Sequence, residues 1–222
     1  MGVSVIRNQS QMNLADIIIK SEEKYLSSIE AFFKKKWGDT KLWSHDLSHH
    51  RRVWNYAKEL LPYIGDANQL FIEKLLIACY LHDIGISIDK GEKHGIHSRK
   101  ICESFLEENN ISPADYADLI QAIENHDNKN YSDSIVNNKL LFLLSAADDL
   151  DAFGYTGILR YADIYLERDI SITDLGKMVI ENSGKRFQNF EKAFSGYSEL
   201  VERHRIRYQV LISFYSELDR QQ

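Results

Sequence analysis

Apolar residues recur at spacings of three and four along nearly the whole chain, and alternating runs of strand length are scarce. That pattern predicts helices over about 14–37, 46–63, 68–83, 94–109, 113–127, 137–150, 157–167, 172–183 and 197–219. Only two prolines, Pro62 and Pro113, punctuate it. Several helix starts are readable. Ser112-Pro113 reads as an N-cap followed by proline at the first helical position. Asn137 is placed to cap "KLLFLLSAADDL", and Thr173 precedes a further short helix. Two polar stretches, "GISIDKGEKHG" and "NKNYSDSIVN", read as loops. With no repeat, low-complexity tract or linker, the expectation is one all-α domain spanning 1–222. The amphipathic C-terminal segment "SELVERHRIRYQVLISFYSEL" is expected to cover the core or a partner chain. Its Phe214 and Tyr215 make a homodimer reasonable.

The helical faces carry an unexpected cargo. In the helix from Asp46, the residues Val53, Tyr56, Ala57, Leu60 and Ile64 share one face. His49 lies four residues before Val53 and points the same way, with Arg52 one turn on. The 68–83 helix is apolar nearly all round, which marks it as central, yet it ends in His82 and Asp83. "KLLFLLSAADDLDAFG" is apolar and then abruptly acidic, with the small Ala146 and Ala147 just before Asp148. Leu119, Ala122 and Ile123 form a face that His126 continues. Burying such groups unpaired costs a few kcal/mol each, and more for a charge. A His–Asp hydrogen-bond network, wet helix ends, or a shared cation would each resolve the conflict. Taken singly, His49 reads as a hydrogen-bonded core histidine and Asp148 as a helix-terminal acid. Taken together, mixed nitrogen and oxygen donors suit Mn, Fe, Co, Ni or Zn better than Ca.

Composition narrows the function classes. Among 222 residues, 44% hydrophobic and 27% charged content is that of an ordinary globular protein. A net charge of −6 argues against a nucleic-acid footprint but leaves room for a small phosphate ligand. "MGVSVIRNQSQ" does not read as a signal peptide, and no apolar run approaches the ~20 residues of a membrane span. A cytoplasmic protein that binds no membrane is therefore expected. Cys79 and Cys102 read as buried free thiols. No P-loop and no G-x-S-x-G elbow occurs. "DDLDAFG" has its glycine in the wrong place for an EF-hand loop.

In order along the chain, "HDLSHHRRVW", "LHDIG" and "SAADDLDAFG" resemble the HD superfamily of metal-dependent phosphohydrolases, over roughly residues 43–160. The resemblance implies a helical-bundle HD core, with residues 161–222 as a C-terminal helical extension. It implies that His49, His82, Asp83 and Asp148 bind a divalent cation, with Mn, Mg, Fe, Co, Ni and Zn all open. It further suggests a second metal or a substrate contact at His94 and His126, with His97 as the competitor of His94. Members with paired histidines carry His-His where this chain has His126-Asp127, which puts the second metal in question. The implied reaction is cleavage of a small phosphate ester or nucleotide by metal-activated water. In it Asp83 would bridge two ions, and His126 or His94 would donate a proton. Arg52 would offset phosphate charge, with Arg160 and Lys93 as weaker phosphate contacts. The alternative is a non-hydrolytic HD protein, either a dimetal oxygenase or a ligand-sensing module.

Overall fold

The computed structural model describes residues 13–91, 93–127 and 138–222. Among them the chain forms nine α-helices and no strand. They are α1 (Leu14–Trp37), α2 (Leu47–Leu60), α3 (Gln69–Leu81), α4 (His94–Glu108), α5 (Ala117–Glu124), α6 (Lys139–Asp151), α7 (Gly154–Glu167), α8 (Ile172–Ala193) and α9 (Ser198–Arg220). Tight 3-10 turns cover Trp43–His45, Leu61–Tyr63, Ile84–Ser87 and Pro113–Tyr116. Among the described residues no helix is long and apolar enough to cross a membrane.

Helix α3 is the axis. Every residue from Ile72 to Leu81 is buried, and α1, α2, α5 and α6 all pack against it. A stripe could not satisfy four neighbours, which is why its sequence is apolar on every side. Helix α2 also packs on α6, α8 packs on α6, α7 and α9, and α9 covers α7. The starts of the helices are set by short polar side chains. Asp46 accepts hydrogen bonds from Ser48 N and His49 N, Asn68 from Phe71 N, and Ser171 from Asp174 N.

Two glycines let backbones meet where larger residues would separate them. A Cβ on Gly85 would stand 2.2 Å from His94 O and 2.5 Å from Ser98 N. The first turn of α4 therefore rests directly on the chain just beyond Asp83, and Gly85 N donates to Ser98 Oγ at 2.8 Å. A Cβ on Gly95 would stand 2.5 Å from Glu124 O, so α4 and the end of α5 are also in backbone contact. These two approaches bring His94 beside both Asp83 and His126.

Several expected boundaries shift. Residues 113–127 are not one helix: a 3-10 turn gives way to α5, which ends at Glu124. Ser112 makes no side-chain capping bond there. Asn137 lies outside the described residues, and the cap of α6 is Asn138, whose side chain accepts from Leu141 N. Thr173 sits inside the first turn of α8, which Ser171 caps. That helix continues past Gly184 to Ala193 because Phe187 and Phe190 are buried, with Phe187 stacked on Tyr208 of α9 at 4.5 Å. Tertiary burial outweighs the ~1 kcal/mol that a glycine costs a helix interior.

Candidate metal centre

Three helix ends bring four side chains to one buried spot. His49 projects from the first turn of α2. His82 is the C-cap of α3 and Asp83 follows it into the 3-10 turn. Asp148 comes from the last turn of α6. One donor atom from each of these residues lies within 4.8 Å of the others, and all four side chains are buried. His49 Nε2 is 3.3 Å from His82 Nε2, 3.5 Å from Asp83 Oδ2 and 3.7 Å from Asp148 Oδ1. His82 Nε2 is 3.3 Å from Asp83 Oδ2.

The other oxygen of Asp83 faces a second group. His126 Nε2 lies 2.8 Å and His94 Nε2 lies 3.4 Å from Asp83 Oδ1, and the two imidazoles are 3.4 Å apart. Asp127 adds a carboxylate, its Oδ2 2.8 Å from His94 Nε2. Asp83 thus presents one oxygen to each histidine pair. His97 has no place in either group, and His94 does.

The far side of each ring explains why the near side is available. His82 Nδ1 donates to Cys79 O at 3.1 Å, His94 Nδ1 to Gly91 O at 2.7 Å, and His126 Nδ1 to Ile123 O at 2.7 Å. His49 Nδ1 donates to Asp151 Oδ2 at 2.8 Å. A carbonyl or an ionised carboxylate can only accept, so each Nδ1 carries a proton, and a ring in its neutral form turns the Nε2 lone pair inward. Four inward lone pairs beside carboxylates repel one another unless a proton or a cation sits among them. The electrostatics agree. Burial alone would disfavour the His82 imidazolium, but Asp83 and Asp148 outweigh it and raise its pKa to about 10. His94 is likewise raised to about 11, Asp127 and Asp83 overcoming its burial. Burial works against ionised Asp83 as well, yet His82 and His126 hold its pKa well below the usual carboxylate range. Each of these His/Asp groups could hold a metal ion, and Asp83 belongs to both.

Around this core stands a ring of ion pairs. Asp151 is fully buried and receives Arg52 Nε at 2.7 Å, Arg52 Nη2 at 3.0 Å and Arg160 Nη1 at 3.1 Å. Arg52 is therefore spent on Asp151 and on Ser48 Oγ, and it does not line the cleft above the centre. Lys93 is exposed and does not line it either. Arg160 does, although its Nε is committed to Ser44 O. The cleft, about 110 Å³ and partly open to solvent, has His45, Asp83, His94, Asp127 and Asp148 on its polar side. Ile86, Ala152, Tyr161, Ile164 and Tyr165 form its apolar wall, with Arg186 of α8 above Asp148.

Sequence reasoning passed over three of these groups. His45 Nε2 lies 3.6 Å from Asp83 Oδ2, and burial pushes its pKa well down, so the ring is neutral. Its spacing of four before His49 was a usable signal. Asp151, one turn beyond Asp148, was another. Arg186 carried none. Cys79 and Cys102 are free and buried, and burial raises both thiol pKa values, which removes them as nucleophiles.

Compared with known families, residues 46–152 match the family described as "HD domain". No curated protein and no solved structure gives a significant match.

Proposed function

Residues 46–152 of this chain are an HD domain, and from that premise we propose that the protein is a metal-dependent phosphohydrolase acting on a small phosphate ester or nucleotide. The observation that supports this most is the set of imidazoles whose Nδ1 atoms are tied to acceptors and whose Nε2 atoms face shared carboxylates. In this reading His49, His82, Asp83 and Asp148 hold one divalent cation. Asp83, His94 and His126, with Asp127 in place of a further histidine, hold a second. When bound, such ions supply Lewis acidity, which polarises a phosphoryl oxygen and makes water more acidic near neutral pH.

The chain's own residues do the rest. Asp151 fixes the ring orientation of His49, and Arg52 and Arg160 keep Asp151 ionised at a position without solvent. Arg160 and Arg186 place positive charge on the cleft where a phosphate would lie. Tyr161, Ile164 and Tyr165 offer a wall for the organic part of the substrate. His94 and His126 each turn only Nε2 toward the carboxylates, so each either ligates a cation or carries a proton there, not both at once. Metal stoichiometry decides between those two roles.

The test is a phosphatase assay over nucleotides and sugar phosphates, on protein purified without metal and reloaded with Mn. Release of inorganic phosphate that depends on added metal is expected. Metal bound without turnover on any phosphate would replace this reading with a non-hydrolytic HD protein. An iron centre with redox-active spectra would point to an oxygenase.

A further inference from the structure

We propose that Arg186 is the phosphate-gripping side chain of the cleft, supplied by a helix outside the HD-domain segment. The identity of the ligand as a phosphate rests on the phosphohydrolase reading above. The placement of the arginine does not.

Arg186 stands on α8, beyond residues 46–152. Its side chain is only 18% exposed, yet it lines the cleft. Nη1 donates to Asp149 Oδ1 at 2.5 Å and reaches Asp148 Oδ2 at 3.4 Å. Asp148 Oδ1 is the atom that faces His49 and His82, so the guanidinium sits behind the outer oxygen of a candidate ligand. Nε donates to Asn182 Oδ1 at 3.1 Å, and that same oxygen accepts from the Tyr161 hydroxyl at 2.9 Å. These bonds hold the fork in place. Its Nη2 makes no hydrogen bond to the described residues and is not among the buried atoms left unpaired, so solvent reaches it, on a side chain that lines the cleft.

The other cations are less suited. Lys90 is paired with Glu167, Arg160 is committed to Ser44 O and Asp151, and Arg168 is exposed at the rim. A planar guanidinium anchored on one edge and free on the other is preorganised to take a phosphoryl oxygen, and it loses little side-chain entropy in doing so. The competing role is purely supportive, in which Arg186 only steadies Asp148 and Asp149.

Calorimetric titration of inorganic phosphate into the full-length, Mn-loaded protein separates the two, with Mn content measured on the same samples. The wild type is expected to bind phosphate. R186Q is expected to bind it about tenfold more weakly at unchanged Mn content, the loss of one charge-assisted hydrogen bond. R186K should recover part of that loss through its point charge, and it carries the test if R186Q does not fold. Phosphate binding within about twofold of wild type in the variant that folds overturns the proposal. So does a loss of Mn, which would make Arg186 a support for Asp148, and so does a wild type that ignores phosphate. Arg186-dependent phosphate binding without turnover would sink the phosphohydrolase reading and leave this one standing. Turnover with an unchanged KM in R186Q would do the reverse.

Discussion

Asp151→Asn isolates what the buried ion-pair ring contributes. Asp151 accepts from His49 Nδ1, from two nitrogens of Arg52 and from Arg160, and its side chain has no solvent exposure. An amide offers one acceptor oxygen where the carboxylate offered two, and it turns an NH2 group toward groups that only donate. Two effects follow. The first is on stability. Burial works against the ionised carboxylate, but Arg160, His49 and Arg52 overcome it and bring the Asp151 pKa from 3.8 to about 2. At 1.36 kcal/mol per pH unit that is roughly 2.5 kcal/mol. Because the folded pKa is depressed, this contribution is present above about pH 4 and is lost as pH falls through about 2. The metal-free variant should therefore unfold at lower urea than wild type at pH 7 by about 2–3 kcal/mol, with the gap closing as pH falls towards 2. The second effect is on the metal. With an amide N–H facing Nδ1, His49 adopts the other tautomer and its Nε2 carries a proton instead of a lone pair. Chelator competition at pH 7.5 should show the affinity for Mn falling by about 10–100-fold. A folded D151N protein whose Mn affinity stays within about twofold of wild type would refute the argument that this carboxylate orients the ligand.

Further outcomes concern the centre itself. Asp83→Ala removes the carboxylate shared by both histidine pairs, so elemental analysis should find neither cation retained and turnover should vanish; retention of a full metal complement would contradict a shared ligand. His126→Ala should lower the bound metal from about two ions to about one while the His49–His82–Asp83–Asp148 group keeps its own. Unchanged stoichiometry with a slower rate would instead assign His126 as a proton donor. Gly85→Ala forces a methyl group into His94 O and Ser98 N. Its cost should be about 2–3 kcal/mol in thermal or urea unfolding. A variant as stable as wild type would show that α4 does not rest on this residue.

The helices themselves were open to view in the chain. A three-and-four spacing of apolar residues is a local property, and it located α1, α3, α4 and α9 to within a few residues. The HD-type order of His49, His82-Asp83 and Asp148 was likewise readable, because each sits where an apolar helix face abruptly turns polar. Even some ring orientations are local in origin. The bonds of His82 to Cys79 O, of His94 to Gly91 O and of His126 to Ile123 O each span three residues.

What spans the fold was decided only there. Asp151 reaches His49 across 102 residues; its spacing puts it on the face of Asp148, but nothing near either position says that the two residues meet. Arg52, expected to offset phosphate charge, is instead placed by the fold against Asp151. Arg186 lies on a stretch that periodicity ended at 183, and it gains a role only because Phe187 and Phe190 carry α8 onward over the acidic end of α6. Hydrophobic spacing encodes which face of an element is buried, and this is set by near neighbours in the chain. Which charges meet across that buried surface depends on the packing of helices distant in sequence, and no local pattern holds that information.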